Sequence, residues 1–427
     1  MQQPKAIPLT GYQKFVIFIL AITQFTVILD FMVMSPLGDI LMKSLKMSPS
    51  QFGVAVSAYA FSAGISGLLT AGFADKFDRK KLLLFFYIGF ILGTILCGVV
   101  NSYEMLVAAR IITGLFGGVI GSISMAIVAD LFSIQQRGRV MGFLQMGFGA
   151  SQVMGIPIGL YLANKWHWHT PFLWIAVMAA IVTILILFRL KPITQHLAVK
   201  QEKSPFKHLL HTVAKRDYRI GFTATALLSI GGFMMMPFGT AFAVNNLMVT
   251  HEQLPLIYMV AGVSTLVFMP FIGKLSDKID KLKIFAAACI WMIAVVLIYT
   301  QLSATHLWLV IAFNVLMMIG ITGRMVPSTA LVTGIPDLHD RGAFMSINAS
   351  LQQIAGGVAA AAAGMIVVQK DSFSPLEHYN TLGYIVAAIT LISILLMYRV
   401  DRLVKKKAAQ QLNAPNTYNE VPLVTEV

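Results

Sequence analysis

The chain has 427 residues, 57% of them hydrophobic and only 12% charged, a composition that excludes a water-soluble globular fold. Lys and Arg number 32 against 18 Asp and Glu, giving a net charge of +14, but the cations fall in short segments between apolar stretches, so they meet a lipid bilayer's anionic headgroups and not nucleic acid. The two cysteines, Cys97 and Cys289, lie inside apolar stretches and offer neither a disulfide framework nor a zinc-ligand spacing.

Apolar runs of about twenty residues recur from end to end, each long enough to cross a hydrocarbon core of roughly 30 Å as a helix and too long for barrel strands. Twelve spans are expected, at roughly 14–40, 50–74, 82–100, 104–130, 138–163, 170–190, 218–247, 254–274, 284–302, 306–333, 342–368 and 378–399. The first is too long for a signal-peptide core and lacks a small-residue cleavage site, so it is expected to remain in the mature chain. It carries Asp30, the only carboxylate placed well inside a span. Thr23, Thr26 and Met34 share its helical face at i−7, i−4 and i+4, a polar stripe suited to a cavity wall.

The second span ends in the charged turn Asp75, Lys76, Arg79, Lys80 and Lys81. The fourth holds Arg110, with Gly114, Gly117, Gly118 and Gly121 near its face, where a neighbouring helix can approach closely. An arginine in a bilayer is costly and needs a partner or a wet cavity. Asp30 lies about sixteen residues in from one end of its span and Arg110 about six from the opposite end of its own, so at about 1.5 Å per residue their depths match and the two can meet. Desolvation pulls such a carboxylate toward neutrality and the arginine pulls it toward charge, so a small change in geometry swings its protonation, as proton coupling requires. The bland alternative is a permanent ion pair that only fixes helix packing.

The fifth span contains Gly155, Pro157 and Gly159, small residues that permit close packing and a kink, and it presents Gln145 and Gln152 on one face. In the tenth span Arg324 has no acidic residue before Asp337. It is read either as a ligand for an anionic substrate group or as a side chain snorkelling to the surface. Asn348 and Gln352 share a face of the eleventh span. They and the two fifth-span amides are candidates to hydrogen-bond a substrate, or simply to bind helices together.

Basic residues crowd alternate connections, among them Lys274, Lys278, Lys281 and Lys283 around the end of the eighth span, whereas the other connections hold only Lys43, Lys46, Lys165 and Lys370. The positive-inside rule then puts both termini and the central connection in the cytoplasm. The chain also repeats itself. Phe73-Ala74-Asp75-Lys76-Phe77-Asp78-Arg79 falls on Leu275-Ser276-Asp277-Lys278-Ile279-Asp280-Lys281 at a constant offset of 202, Asp30-Phe31-Met32 falls on Gly232-Phe233-Met234, and Arg137-Gly138 matches Arg341-Gly342 at 204. The expected fold class is an all-α polytopic membrane protein, twelve transmembrane helices in two pseudo-symmetric six-helix bundles, 1–190 and 218–402. A cytoplasmic linker, 191–217, joins them, and a polar tail, 403–427, is expected to be disordered.

With these features the residues resemble the major facilitator superfamily over nearly the whole chain. The turn after the second span is similar to the family pattern Gly-x-Leu-Ala-Asp-Arg/Lys-x-Gly-Arg-Arg/Lys, departing from it at Ala71, Phe73 and Asp78, and its second copy again has Asp, Asp280, in place of the later glycine. The resemblance implies a cytoplasmic gate in which Asp75, Lys76, Arg79, Lys80, Asp277 and Lys278 hold the two halves together. Arg110-Ile111-Ile112-Thr113-Gly114 looks like the family's arginine-bearing fourth-helix motif. Met154-Gly155-Ile156-Pro157-Ile158-Gly159 resembles the signature of its drug and sugar efflux antiporters, with Ile156 inserted between Gly155 and Pro157. A proton-driven antiporter is implied, exporting a drug-like or sugar-like compound across a bacterial inner (plasma) membrane, with Asp30 and Arg110 coupling protons to transport. A facilitator, a proton symporter and a non-transporting receptor stay open as alternatives, as does the oligomeric state, with a monomer the simplest case. No convergent nucleophiles, histidine ligands or phosphate-cradling loop point to an enzyme, a metal or any cofactor.

Overall fold

Hydrocarbon offers no partner to a bare N–H or C=O, so an apolar run must close its backbone hydrogen bonds within itself, and in this computed structural model each does so as a helix. The structure describes residues 9–70, 72–198, 205–337 and 339–413. Ala71, part of the linker (199–204) and the end of the tail (414–427) lie outside these. Among the described residues, 12 helices are long and apolar enough to cross a membrane. They are α1 (Gly11–Val33), α2 (Pro49–Thr70), α3 (Arg79–Cys97), α4 (Tyr103–Leu131), α5 (Gln136–Lys165), α6 (Thr170–Arg189), α7 (Arg216–Asn245), α8 (Leu254–Lys278), α9 (Lys281–Tyr299), α10 (Leu307–Thr333), α11 (Arg341–Ile366) and α12 (Tyr379–Lys407). An even number of crossings puts the first and last helix ends on one side, called here the termini end.

The helices break where the sequence withholds a donor. The first expected span, 14–40, is interrupted after Val33 and resumes as a short helix, Gly38–Ser44, because Pro36 has no N–H to continue the ladder. In α7 the helix stops at Phe233, turns tightly over Met236–Phe238 around Pro237 and restarts at Gly239. In α5 a wide π turn, Ser151–Gly155, precedes Pro157, which supplies the kink the sequence suggests. Asp78 and Asp280, the two departures from the family's glycine, cap α3 and α9: the Asp78 carboxylate accepts from the Lys80 amide at 2.9 Å and the Asp280 carboxylate from the Leu282 amide at 2.9 Å.

Two expectations about the connections change. The last helix continues to Asn413, so residues 403–413 of the expected tail are helical. Polarity there ends the membrane span but not the helix, because Lys, Ala, Gln and Leu are strong helix formers and Leu403 and Val404 still pack on the core. The linker likewise holds a helix, Pro205–Ala214, called here the connector helix.

Glycines set how closely the helices approach. A Cβ on Gly114 would lie 2.4 Å from the Tyr59 carbonyl oxygen, and one on Gly118 would lie 2.5 Å from Ala63 Cα, so α4 lies directly on the backbone of α2. The two halves meet the same way. A Cβ on Gly53 of α2 would be 2.7 Å from the Ala360 carbonyl of α11, and one on Gly262 of α8 would be 2.9 Å from the backbone of Gln152 in α5. Gly117, Gly155 and Gly159 also face close neighbours, Tyr59, Leu29 and Val33, while a Cβ on Gly121 would lie 3.4 Å from the Gln24 amide nitrogen.

Since the neighbour of Gly118 is backbone and cannot turn aside, Gly118→Ala should lower the thermal midpoint in detergent by the equivalent of about 1–3 kcal/mol. Gly138→Ala, at a site with nothing within 4 Å, should not lower it.

Candidate functional site

Asp30 and Arg110 meet inside the N-terminal half. Arg110 Nη1 donates to Asp30 Oδ2 at 2.8 Å, with the two side chains 1% and 0% exposed. From α3, Thr94 Oγ1 donates to Asp30 Oδ1 at 3.3 Å, and from α2 the Tyr59 ring lies 4.5 Å beneath the guanidinium. Arg110 Nε has no hydrogen-bond partner. Four helices thus surround one ion pair that is joined by a single strong hydrogen bond and is not saturated. A full set of donors and acceptors would lock such a pair; an incomplete set leaves it less to lose on rearranging.

Asp30's neighbours on its own helix do not form a cavity wall. Thr23, Thr26 and Met34 are all 0% exposed. Thr26 Oγ1 shares a hydrogen bond of 2.8 Å with Tyr87 Oη of α3, and Thr23 Oγ1 donates to the Ile19 carbonyl at 2.8 Å. Helical spacing identifies a common face but not what covers it, and here α3 does.

Arg79 and Lys80, in the turn after α2, find partners within their own half. Arg79 donates to Asp75 at 2.6 Å and to Asp130 of α4 at 3.0 Å, and Lys80 reaches the Leu187 carbonyl of α6 at 2.9 Å. Lys76, Asp277 and Lys278 are exposed, and in the second copy it is Asp280 that is paired, with Lys405 at 2.7 Å. The Arg79, Lys80 and Asp280 contacts are each made within one half. The α5/α8 seam narrows to Gly149 against Leu266, and beyond it, toward the termini, Gly138, Gly142 and Gly273 face open space.

A cluster of polar contacts joins the halves at the opposite end. Asp39, in the short helix after α1, is 1% exposed. It accepts from Asn245 Nδ2 of α7 at 2.6 Å, contacts His251 Nε2 of the α7–α8 loop at 3.1 Å and pairs with Lys43 at 2.8 Å. Lys43 in turn donates to Asn245 Oδ1 at 3.3 Å, and Asn164 of α5 donates to the His251 carbonyl at 2.7 Å. Burial pushes the Asp39 carboxyl up, but hydrogen bonds from His251, Lys43 and Asn245, with the charge of Lys43, outweigh it and hold the group below its ordinary value. None of these five residues was singled out from the sequence as a site residue. A signal was there, since Lys43 and Asn245 stand 202 apart, the repeat offset itself.

The remaining candidates scatter. Gln145 and Gln352 are exposed, while Gln353 lines a small gap between the halves with Phe31, Ser35, Phe233 and Met236. Gln152 Oε1 and Asn348 Oδ1 are buried without partners. Arg324 does not snorkel outward: it is 6% exposed, donates from Nη1 to Thr390 Oγ1 of α12 at 3.3 Å, and its Nε has no partner.

The sequence model of the Major Facilitator Superfamily matches residues 20–242 and 221–423. The chain belongs to the Major Facilitator Superfamily. As a member of that superfamily it is a membrane transporter and not an enzyme. It is 23% identical over 378 residues to the uncharacterized MFS-type transporter YbcL of Bacillus subtilis (strain 168), spanning 88% of this chain and 95% of that one. It is 26% identical over 295 residues to a probable sugar efflux transporter of Helicobacter acinonychis (strain Sheeba), spanning 69% and 73%. A solved bacterial homolog of the human lysosomal transporter Spinster, in an inward-facing conformation, shares the fold with a TM-score of 0.73 at 14% identity, over 93% of this chain and 99% of that one.

In this superfamily member the Asp39 clasp should respond to both mutation and acid. Because the closed-state carboxyl titrates below its ordinary value of about 3.9, its contribution is complete above that value and is lost as the pH falls through the lowered one. Spin labels on either side of the clasp should report a longer distance in Asp39→Ala at neutral pH. In the unmutated chain they should lengthen only under strong acid, and in Asp39→Ala they should show no such acid step.

Proposed function

We propose that the protein is a proton-driven antiporter that expels a small organic compound, drug-like or sugar-like, with Asp30 as the proton carrier and Arg110 as the partner that senses its charge. The observation that carries this reading is the buried, incompletely hydrogen-bonded pair itself. Protonating Asp30 leaves Arg110 without a counter-charge in a dry site. Losing one partner of a buried pair costs about 3–5 kcal/mol, close to the roughly 5.5 kcal/mol that carries a two-state equilibrium from one side to the other. A proton can therefore supply most of the free energy of a switch.

The excess of basic residues in the connections at the termini end supports a cytoplasmic position for that end, and with the far end joined through Asp39 we read the conformation as inward-facing. Asp30 is sealed in this conformation, so proton loading belongs to a state in which the clasp has opened toward a bacterial periplasm or exterior, and release to a state in which water reaches the pair from the cytoplasm. Export is supported by the similarity to a relative named a probable sugar efflux transporter. Arg324, buried with an unpartnered Nε, is the group on this scaffold suited to an anionic substituent of the substrate.

In proteoliposomes carrying a transported compound, unmutated protein should couple its movement to opposed proton flux, and Asp30→Asn should lose that proton flux to background while still folding. Unchanged coupling in Asp30→Asn overturns the assignment. Solute movement down its own gradient without protons, in the unmutated chain, would make it a facilitator.

A further inference from the structure

We propose that His208, His339 and Asp340 form a binding site for one divalent transition cation of the zinc class, at the termini end of the C-terminal half and apart from the transport pathway. His208 stands on the connector helix, Pro205–Ala214, and His339 and Asp340 in the turn between α10 and α11. Their three ligand atoms lie within 4.8 Å of one another. His208 Nε2 is 3.0 Å from Asp340 Oδ1, and His339 Nδ1 is 3.2 Å from the same oxygen.

Zinc sits about 2.0–2.2 Å from nitrogen and oxygen ligands, so two corners of a tetrahedral site are about 3.3 Å apart. Two of the three edges already have that length. A cation entering the triangle replaces two N–H···O hydrogen bonds with two metal–nitrogen bonds, each imidazole carrying its proton on its other ring nitrogen, and water fills the fourth corner. Two imidazoles and one carboxylate suit zinc, cobalt or nickel and not calcium or magnesium, which prefer all-oxygen shells.

The carboxylate is held in place from behind. Its other oxygen, Oδ2, accepts from Tyr218 Oη at 2.8 Å and from the Lys215 ammonium, which fixes Oδ1 toward the histidines, and the Asp340 side chain is only 5% exposed. The imidazoles are the accessible members, at 27% and 72% exposure, so a cation can reach them from solution. Leu209, beside His208, packs on the C-terminal core, so the connector helix is already seated where the site needs it. A bound cation would staple the linker between the halves to the α10–α11 turn.

The test uses the full chain in detergent, free of affinity-tag histidines and stripped with chelator, titrated with cobalt and then with zinc. We expect one equivalent of cobalt with the intense visible absorption of a four-coordinate site, displaced by zinc and untouched by magnesium. Zinc should also raise the thermal midpoint. His208→Ala and His339→Ala, both at accessible positions, should each weaken binding at least about tenfold and abolish the zinc-induced shift. Equal affinity in the double variant, or binding lost only when His167 and His169 at the far end are replaced, would show that the cluster is a hydrogen-bonded group without a metal. None of these readouts involves transport, so their failure leaves the antiporter reading where it stands.

Discussion

A charge inside a bilayer must be paid for by its surroundings, and the N-terminal half is organised around one such debt. Arg110 needs a counter-ion, α1 brings Asp30 to within 2.8 Å, α3 adds the Thr94 hydroxyl, and α2 slides the Tyr59 ring under the guanidinium. That convergence requires α4 to lie on the backbone of α2, which is why Gly114 and Gly118 face Tyr59 and Ala63 with no room for a Cβ. Pair and packing are therefore linked: a side chain at either glycine would force α4, which carries Arg110, off the backbone of α2.

The two halves share architecture but not charge. Pro36 and Pro237 break the first helix of each half, and Asp78 and Asp280 cap the third. Yet Asp30 falls on Gly232, where a Cβ would meet nothing within 4 Å, and the buried cation of the second half, Arg324, has a threonine hydroxyl as its hydrogen-bond partner. Duplication supplied the common frame, and among the described residues the buried ion pair is found in the first copy. The far-end clasp uses both copies at once, since Asp39 and Lys43 of the first half close on Asn245 and His251 of the second. Small interface contacts of this kind suit a device that must open, because each is strong only while its neighbours hold.

Much of this was legible from sequence because bilayer thickness is a hard ruler. Span number, the kink at Pro157 and the matched depths of Asp30 and Arg110 all follow from counting residues along helices of known rise. What covers a given face does not follow. Thr23, Thr26 and Met34 were on the correct face of α1 but lie against α3 and the core, and Gln353, one residue from the amide singled out, is the one that lines the gap between the halves. The Asp39 cluster was hidden for another reason. A sequence describes every state at once, so the charged turn after α2 can be read without saying that Asp39 joins the two halves at the other end in this conformation.

The central claim is that the Asp30 carboxyl changes protonation as the halves rock. Infrared difference spectra can be recorded between protein held at the far end by a short, cleavable thiol-specific cross-linker joining Phe52→Cys and Phe238→Cys, positions whose rings lie 5.9 Å apart across the halves, and an Asp39→Ala form of that protein after cleavage. The account predicts the appearance of a protonated carboxyl band on release, absent when Asp30 is Asn. Identical carboxyl spectra in the two conformations would contradict it.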